Sequence, residues 1–148
     1  MMKKLPNFKL KLIDGTEIKP SEFKKIILFF YPKAMTSGCT IEVCDFQSNF
    51  NKFKKLGFNI IGASKDSIEK NHKFAKKYKI KYSLASDEDK VCEKLGIWIE
   101  KSMYGKKYFG ISRSTFIIDS KGGLFKHWNK VKVSGHVKDV LETAKNCP

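Results

Sequence analysis

The residues with chemistry to offer are gathered in one run, IILFFYPKAMTSGCTIEVCDF, from Ile26 to Phe46. An apolar strand from Ile26 to Tyr31 meets Pro32, and after a short polar turn the pattern becomes helical around Gly38 and Cys39. Cys39 therefore stands at a helix N-terminus, where unpaired backbone N–H groups and the positive end of the helix dipole favour thiolate over thiol. A thiolate is a nucleophile. Pro32, Thr36 and Cys39 follow the spacing P-x-x-x-T-x-x-C, with Glu42 one turn on and a second cysteine, Cys44, beyond it. Pro32 ends the strand and fixes the entry to the turn, while the Thr36 hydroxyl can accept from a thiol and donate to a bound oxygen.

This arrangement resembles the peroxiredoxins, and the placing of the second cysteine is similar to that of their Q-type, or bacterioferritin-comigratory-protein, subfamily. A second block, GIWIEKSMYGKKYFGISRSTFIID from Gly96 to Asp119, is similar to the stretch that supplies the family's active-site arginine, which falls on Arg113. The subfamily usually has Asp and Pro where this chain has Ala34 and Ser37, a difference that bears on loop rigidity rather than on chemistry. The resemblance implies an α/β, thioredoxin-like fold: a central mixed sheet flanked by helices, with an N-terminal β-hairpin. It also implies a thiol-dependent peroxidase acting on hydrogen peroxide and organic hydroperoxides, with Cys39 as the attacking sulfur. The sulfenic acid formed on Cys39 would condense with Cys44 to an intramolecular disulfide, which thioredoxin or a similar dithiol protein would reduce.

Such a displacement moves negative charge onto two oxygens. Arg113, the Thr36 hydroxyl and the backbone N–H groups of Gly38 and Cys39 are the candidate donors to that charge. Glu42 is expected either to pair with Arg113 and fix the guanidinium or to be a plain surface glutamate. Cys44 has an alternative too, as a small buried residue between Val43 and Phe46. In an intact helix the Cα atoms of Cys39 and Cys44 would be separated by ~8.7 Å, beyond the ~7 Å reach of a disulfide, so resolution requires the first turns to unwind.

Composition bounds the rest. The chain has 148 residues, of which 41% are hydrophobic, enough for one packed domain over 1–148. Met1-Met2-Lys3-Lys4 is followed by LPNFKLKL without a long apolar run, so a soluble, cytoplasmic protein with no membrane association is expected. In that setting four cysteines argue for reduced thiols with chemical roles. Cys92 falls on a helical apolar face beside Val91 and Leu95 and reads as core; Cys147, next to Pro148, reads as an exposed, frayed thiol. His72, His127 and His136 have no ligand spacing and no Gly-rich phosphate loop follows a strand, so neither metal nor cofactor is expected.

The net charge of +15 raises nucleic acid as a partner, but the lysines are scattered from Lys3 to Lys145 without an arginine cluster, and a solvated lysine surface accounts for them. Of the 30 basic residues Arg113 alone is arginine and the other 29 are lysine. A chain that uses lysine for every ordinary charge has kept arginine where a planar, multi-donor cation is required. Two other readings compete with the peroxidase. A thiol–disulfide oxidoreductase on the same fold would be expected to carry CxxC, which is absent, and a basic nucleic-acid-binding protein on this scaffold would bind DNA independently of Cys39. A monomer is expected.

The elements that must position these residues follow from periodicity. Phe8 to Leu12 alternates, Asp14-Gly15 turns, and Thr16 to Ile18 returns as a hairpin capped by Pro20 to Phe23. Ile26 to Tyr31 reads as a central strand covered on both faces. Ile41, Val43, Phe46, Phe50, Phe53 and Leu56 predict one helix from Cys39 to Leu56, ended by Gly57, and Phe58 to Ser64 predicts the next strand. A helix opening at Asp66-Ser67, a short strand from Tyr82 to Ala85 and a brief helix capped by Ser86 to Asp89 come next. The lysine-rich stretch holding Gly105 and Gly110 reads as a mobile polar loop; a hairpin of Ser114 to Ile118 with Leu124 to Trp128 and a last helix through Val137, Val140, Leu141 and Ala144 close the chain.

Overall fold

A computed structural model describes residues 4–148; residues 1–3, part of the stretch on which the expectation of a cytoplasmic protein rests, lie outside the described residues. The strands are β1 (Leu10–Leu12), β2 (Glu17–Ile18), β3 (Ile26–Phe30), β4 (Asn59–Ser64), β5 (Ser83–Ser86), β6 (Trp98–Met103), β7 (Lys106–Ile111), β8 (Ser114–Ile118) and β9 (Leu124–Trp128). The helices are α1 (Ser37–Ser48), α2 (Phe50–Lys55), α3 (Ile68–Lys77), α4 (Val91–Lys94) and α5 (His136–Ala144). Seven strands form a mixed sheet in the order β2-β1-β5-β4-β3-β8-β9, parallel across β3–β4 and β4–β5 and antiparallel elsewhere. This is the thioredoxin-like α/β arrangement, with β1–β2 as its N-terminal hairpin.

Strand β3 explains why the sheet has two cores. Side chains alternate along a strand, so Ile27, Phe29 and Tyr31 enter the apolar cluster shared with α1, α2, α3 and α5, while Ile26, Leu28 and Phe30 enter the one shared with α4 and β8. All five β3 residues are buried, as a doubly covered strand requires. Phe29 pairs with Gly62 on β4 and stacks on Phe46 of α1 at 4.3 Å between ring centres. A Cβ at position 62 would lie 2.5 Å from the Phe29 ring, so that stacking requires glycine there. In this way the strand that ends just before Pro32 is locked to the helix that carries Cys39.

Four expectations are corrected. The predicted continuous helix from Cys39 to Leu56 is broken at Asn49, whose side chain donates to the Asp45 carbonyl and whose backbone leaves helical geometry between α1 and α2. Ile41, one of the apolar residues that set the predicted helical period, is exposed, and buried Glu42 stands beside it instead. The stretch read as a loop around Gly105 is the hairpin β6–β7, turned at Tyr104-Gly105 with both residues at positive φ, as a two-residue hairpin turn demands. Cys147 is not a frayed thiol: its N–H continues the last helical turn to Ala144, and its side chain is buried in the cluster with α5. Burial raises its thiol pKa, with Lys25 and Asp119 as charged neighbours. Cys92 is core, as expected. His72 is exposed, His127 stacks on Phe116, and His136 is buried against Trp128. No helix among the described residues is long and apolar enough to cross a membrane.

Candidate active site

The chain leaves β3 at Tyr31, turns at Pro32 and re-enters order at Thr36, the N-cap of α1. This turn is held from outside. Asp66, just past β4, accepts the Ala34 N–H at 2.7 Å and the Ser64 hydroxyl at 2.8 Å through the same oxygen. Behind it Asn71 of α3 accepts the Tyr31 hydroxyl and donates to Ser64, Ala85 and Ser86, joining the C-terminal ends of three neighbouring strands. Met35, exposed and at φ 70, is the left-handed residue that lets the turn close. Ala34, where an Asp was expected, thus belongs to a turn fixed by Asp66, while Ser37, where a Pro was expected, is the first residue of α1. Asp66 and Asn71 were not singled out from the sequence. Asp66-Ser67 gives only a helix-start signal, and Ser67 does cap α3.

Cys39 is the third residue of α1 and almost fully buried at the floor of a cleft of ≈ 710 Å³. Arg113, in the two-residue link between β7 and β8, reaches it from the adjacent strand, since Ser114 at the start of β8 pairs with Phe30 at the end of β3. Its Nη2 donates to Cys39 Sγ at 3.5 Å and its Nη1 donates to Glu42 Oε1 at 2.7 Å. The guanidinium is therefore forked between the sulfur and a buried carboxylate, a geometry only arginine provides. Gly38 makes room for it, since a Cβ there would lie 3.3 Å from Nη2. Burial opposes the Arg113 charge, but Glu42 and Cys39 outweigh it and hold the group above its ordinary pKa.

Of the expected site residues, the structure brings Pro32, Thr36, Cys39 and Arg113 to the cleft, with Gly38 and Glu42 behind it. The Thr36 hydroxyl, expected as a donor to the developing charge, instead donates its one proton to the Lys33 carbonyl at 2.8 Å and keeps only its lone pairs to accept. Cys44 is half-buried farther along unbroken α1, its thiol pKa raised by burial and by Asp45, so the ~8.7 Å helical separation from Cys39 applies. The opposite wall is the β6–β7 hairpin, with Trp98, Lys101, Met103, Tyr108 and Phe109, all missed while that stretch was read as a loop. An alternating aromatic pattern is weak there because most of these residues face solvent on both sides.

Glu42 is fully buried and its Oε2 has no partner among the described residues. Burial raises its pKa to about 7 against the pull of Arg113. The folded state thus holds a proton that the unfolded chain releases above about 4.5, so Glu42 makes stability fall as pH rises from there through 7. Glu42→Gln removes the charge but keeps an acceptor for Arg113. Its stability relative to the parent is expected to rise across that window by up to about 3 kcal/mol. Denaturation midpoints of the two proteins that run parallel from pH 4 to 8 would refute this.

Comparison with known proteins agrees with this geometry. The family model described as AhpC/TSA matches residues 1–126. The Bacillus subtilis protein named peroxiredoxin Bcp is 46% identical over 146 residues, covering 97% of this chain and 93% of its own. The Escherichia coli peroxiredoxin Bcp is 41% identical, covering 95% and 92%. A structure of the Xanthomonas campestris bacterioferritin comigratory protein, described with its alkyl peroxide reduction activity, superimposes with a TM-score of 0.86 at 37% identity over 93% of this chain and 90% of that one. A Xylella fastidiosa PrxQ mutant superimposes with a TM-score of 0.88 at 30% identity, over 98% and 96%. A thiol at a helix N-terminus under a forked arginine, carried on this sheet and matched across nearly the whole chain, makes it a member of the AhpC/TSA family, in the Bcp or Q-type peroxiredoxin branch.

Proposed function

We propose that this chain reduces hydrogen peroxide and organic hydroperoxides, alkyl peroxides among them, through Cys39. The Cys39 thiolate attacks the near, hydroxyl-bearing oxygen, the O–O bond breaks, and the far oxygen leaves with the bonding pair as alkoxide or hydroxide. Cys39 becomes a sulfenic acid. The observation that carries this reading is the Arg113 fork, 3.5 Å from the sulfur and anchored on Glu42, which presents fixed donors where the charge develops. The Thr36 oxygen can accept the O–H of the hydroperoxide, and the N–H groups of Gly38 and Cys39 complete the oxygen-binding edge.

Cys44 then condenses with the sulfenic acid, releasing water, after the first turns of α1 unwind. A thioredoxin-like dithiol protein reduces the resulting disulfide. Because both sulfurs lie in one helix, a monomer suffices. Cys147 is the competing partner, and its surroundings argue against it: its charged neighbours are Lys25 and Asp119, at the start of β3, while Cys39 lies beyond the other end. A five-residue strand puts ~17 Å between those ends.

The test adds one equivalent of peroxide to reduced protein and maps the linked cysteines by mass spectrometry. Loss of two thiols, a Cys39–Cys44 peptide pair and faster proteolysis between Cys39 and Phe46 are expected. A Cys39–Cys147 link, or an oxidised protein that runs as a covalent dimer, would overturn the assignment of the partner. Cys44→Ser should reduce one equivalent and stop until an external thiol is added.

A further inference from the structure

Resting on that reading, the oxygen released from the peroxide needs a proton, and the groups already described do not supply one: Glu42 can hold a proton but is fully buried behind the cleft. Arg113 cannot give up a proton at any ordinary pH, and its Nη1 is held on Glu42. The Thr36 hydroxyl proton is committed to the Lys33 carbonyl. Of the lysines that line the cleft, Lys65 is tied to Asp87 at 3.2 Å and Glu93 at 2.8 Å, while Lys33 and Lys70 are exposed. Lys101 differs from all of these. It is half-buried, has no acidic partner among the described residues, and stands on the hairpin wall facing the same cleft as Cys39 and Arg113.

We propose that Lys101 is the general acid of the peroxide reaction, its ammonium protonating the oxygen released when the O–O bond breaks. The hairpin register pairs Lys101 with Tyr108, and the Lys101 stem lies over Gly110, its Cδ and Cε 3.4 and 3.6 Å from where a Cβ there would be. That packing restrains the stem on the cleft wall. Burial lowers the pKa of the ammonium, Arg113 lowers it further and Cys39 opposes them. A lysine eased toward deprotonation in this way is a better acid than a free one.

The balance closes. Thiolate and hydroperoxide give sulfenic acid and alkoxide; the Lys101 ammonium transfers a proton to the alkoxide to give the alcohol; and the neutral amine regains a proton from solvent, to which the Cys39 thiol had lost its own. Sulfur is oxidised by two electrons and the peroxide is reduced by two.

Two variants and two oxidants test this, with the oxidation of Cys39 followed by stopped-flow fluorescence of Trp98, which lines the cleft. With an alkyl hydroperoxide, Lys101→Met should slow the reaction about 100-fold. Lys101→Arg, which keeps the charge but cannot release a proton, should be slowed nearly as much. With a peroxy acid, whose carboxylate leaves without needing a proton, both variants should react within about threefold of the parent, which also shows that they are folded. Parent-like rates of Lys101→Arg toward the alkyl hydroperoxide, or an equal loss with both oxidants, would sink the proposal. If the parent itself fails to oxidise at Cys39, the peroxidase reading fails instead.

Discussion

Cys39→Ser is expected to abolish peroxide consumption, leaving only the background rate of the buffer. A serine hydroxyl is not ionised near neutral pH and is a poor nucleophile toward oxygen, so the displacement has no attacking electron pair. The substitution is close to isosteric, and Arg113 Nη2 retains an acceptor at position 39 and its anchor on Glu42. A folded but inactive protein is therefore the expected result, read by peroxide consumption together with an unchanged denaturation midpoint. Turnover that survives the change would remove the peroxidase reading, because Cys39 alone among the four cysteines lines the cleft.

Arg113→Lys keeps the charge and should still cost ~2–4 kcal/mol of transition-state stabilisation, a fall of roughly 30- to 1000-fold in kcat/KM for peroxide. The guanidinium makes two contacts at once, 2.7 Å to Glu42 and 3.5 Å to Cys39. An ammonium is a single point of charge on a flexible stem and cannot hold that fork. If it turns to Glu42 the sulfur loses its donor, and if it turns to the sulfur a buried carboxylate loses its counter-ion. Kinetics within a factor of two of the parent would reduce Arg113 to an ordinary charge.

Arg113 also illustrates what could be read from residues alone. One arginine among 29 lysines was a signal of composition, independent of any neighbour in sequence, and the structure places that residue against Cys39. Strand β3 and the start of α1 were equally legible, because an unbroken apolar run, a proline and a helical period are local statements. Whether Glu42 would pair with Arg113 was left open, since partners 71 residues apart meet only through the strand order. The β6–β7 wall was missed for a physical reason. Its residues cover little of the core, so alternation is faint, and only the Tyr104-Gly105 turn marked it. Cys147 was misplaced because nearness to a chain end was taken for exposure, whereas the packing of α5 decides it.

The interruption at Asn49 sets the scale of any motion that brings Cys44 to Cys39. With one uninterrupted helix as far as Leu56, loosening its first turns would strain the packing of Phe53 and everything that Phe53 touches. The break separates the two segments: α2 keeps Phe53 seated and is closed off by its own bonds, with Phe58 N–H donating to the Phe53 carbonyl. Phe46, stacked on Phe29, pins the far end of α1. What remains free to rearrange is a short lever between a tethered turn and an aromatic pin, so the sheet behind it can stay rigid through every turnover.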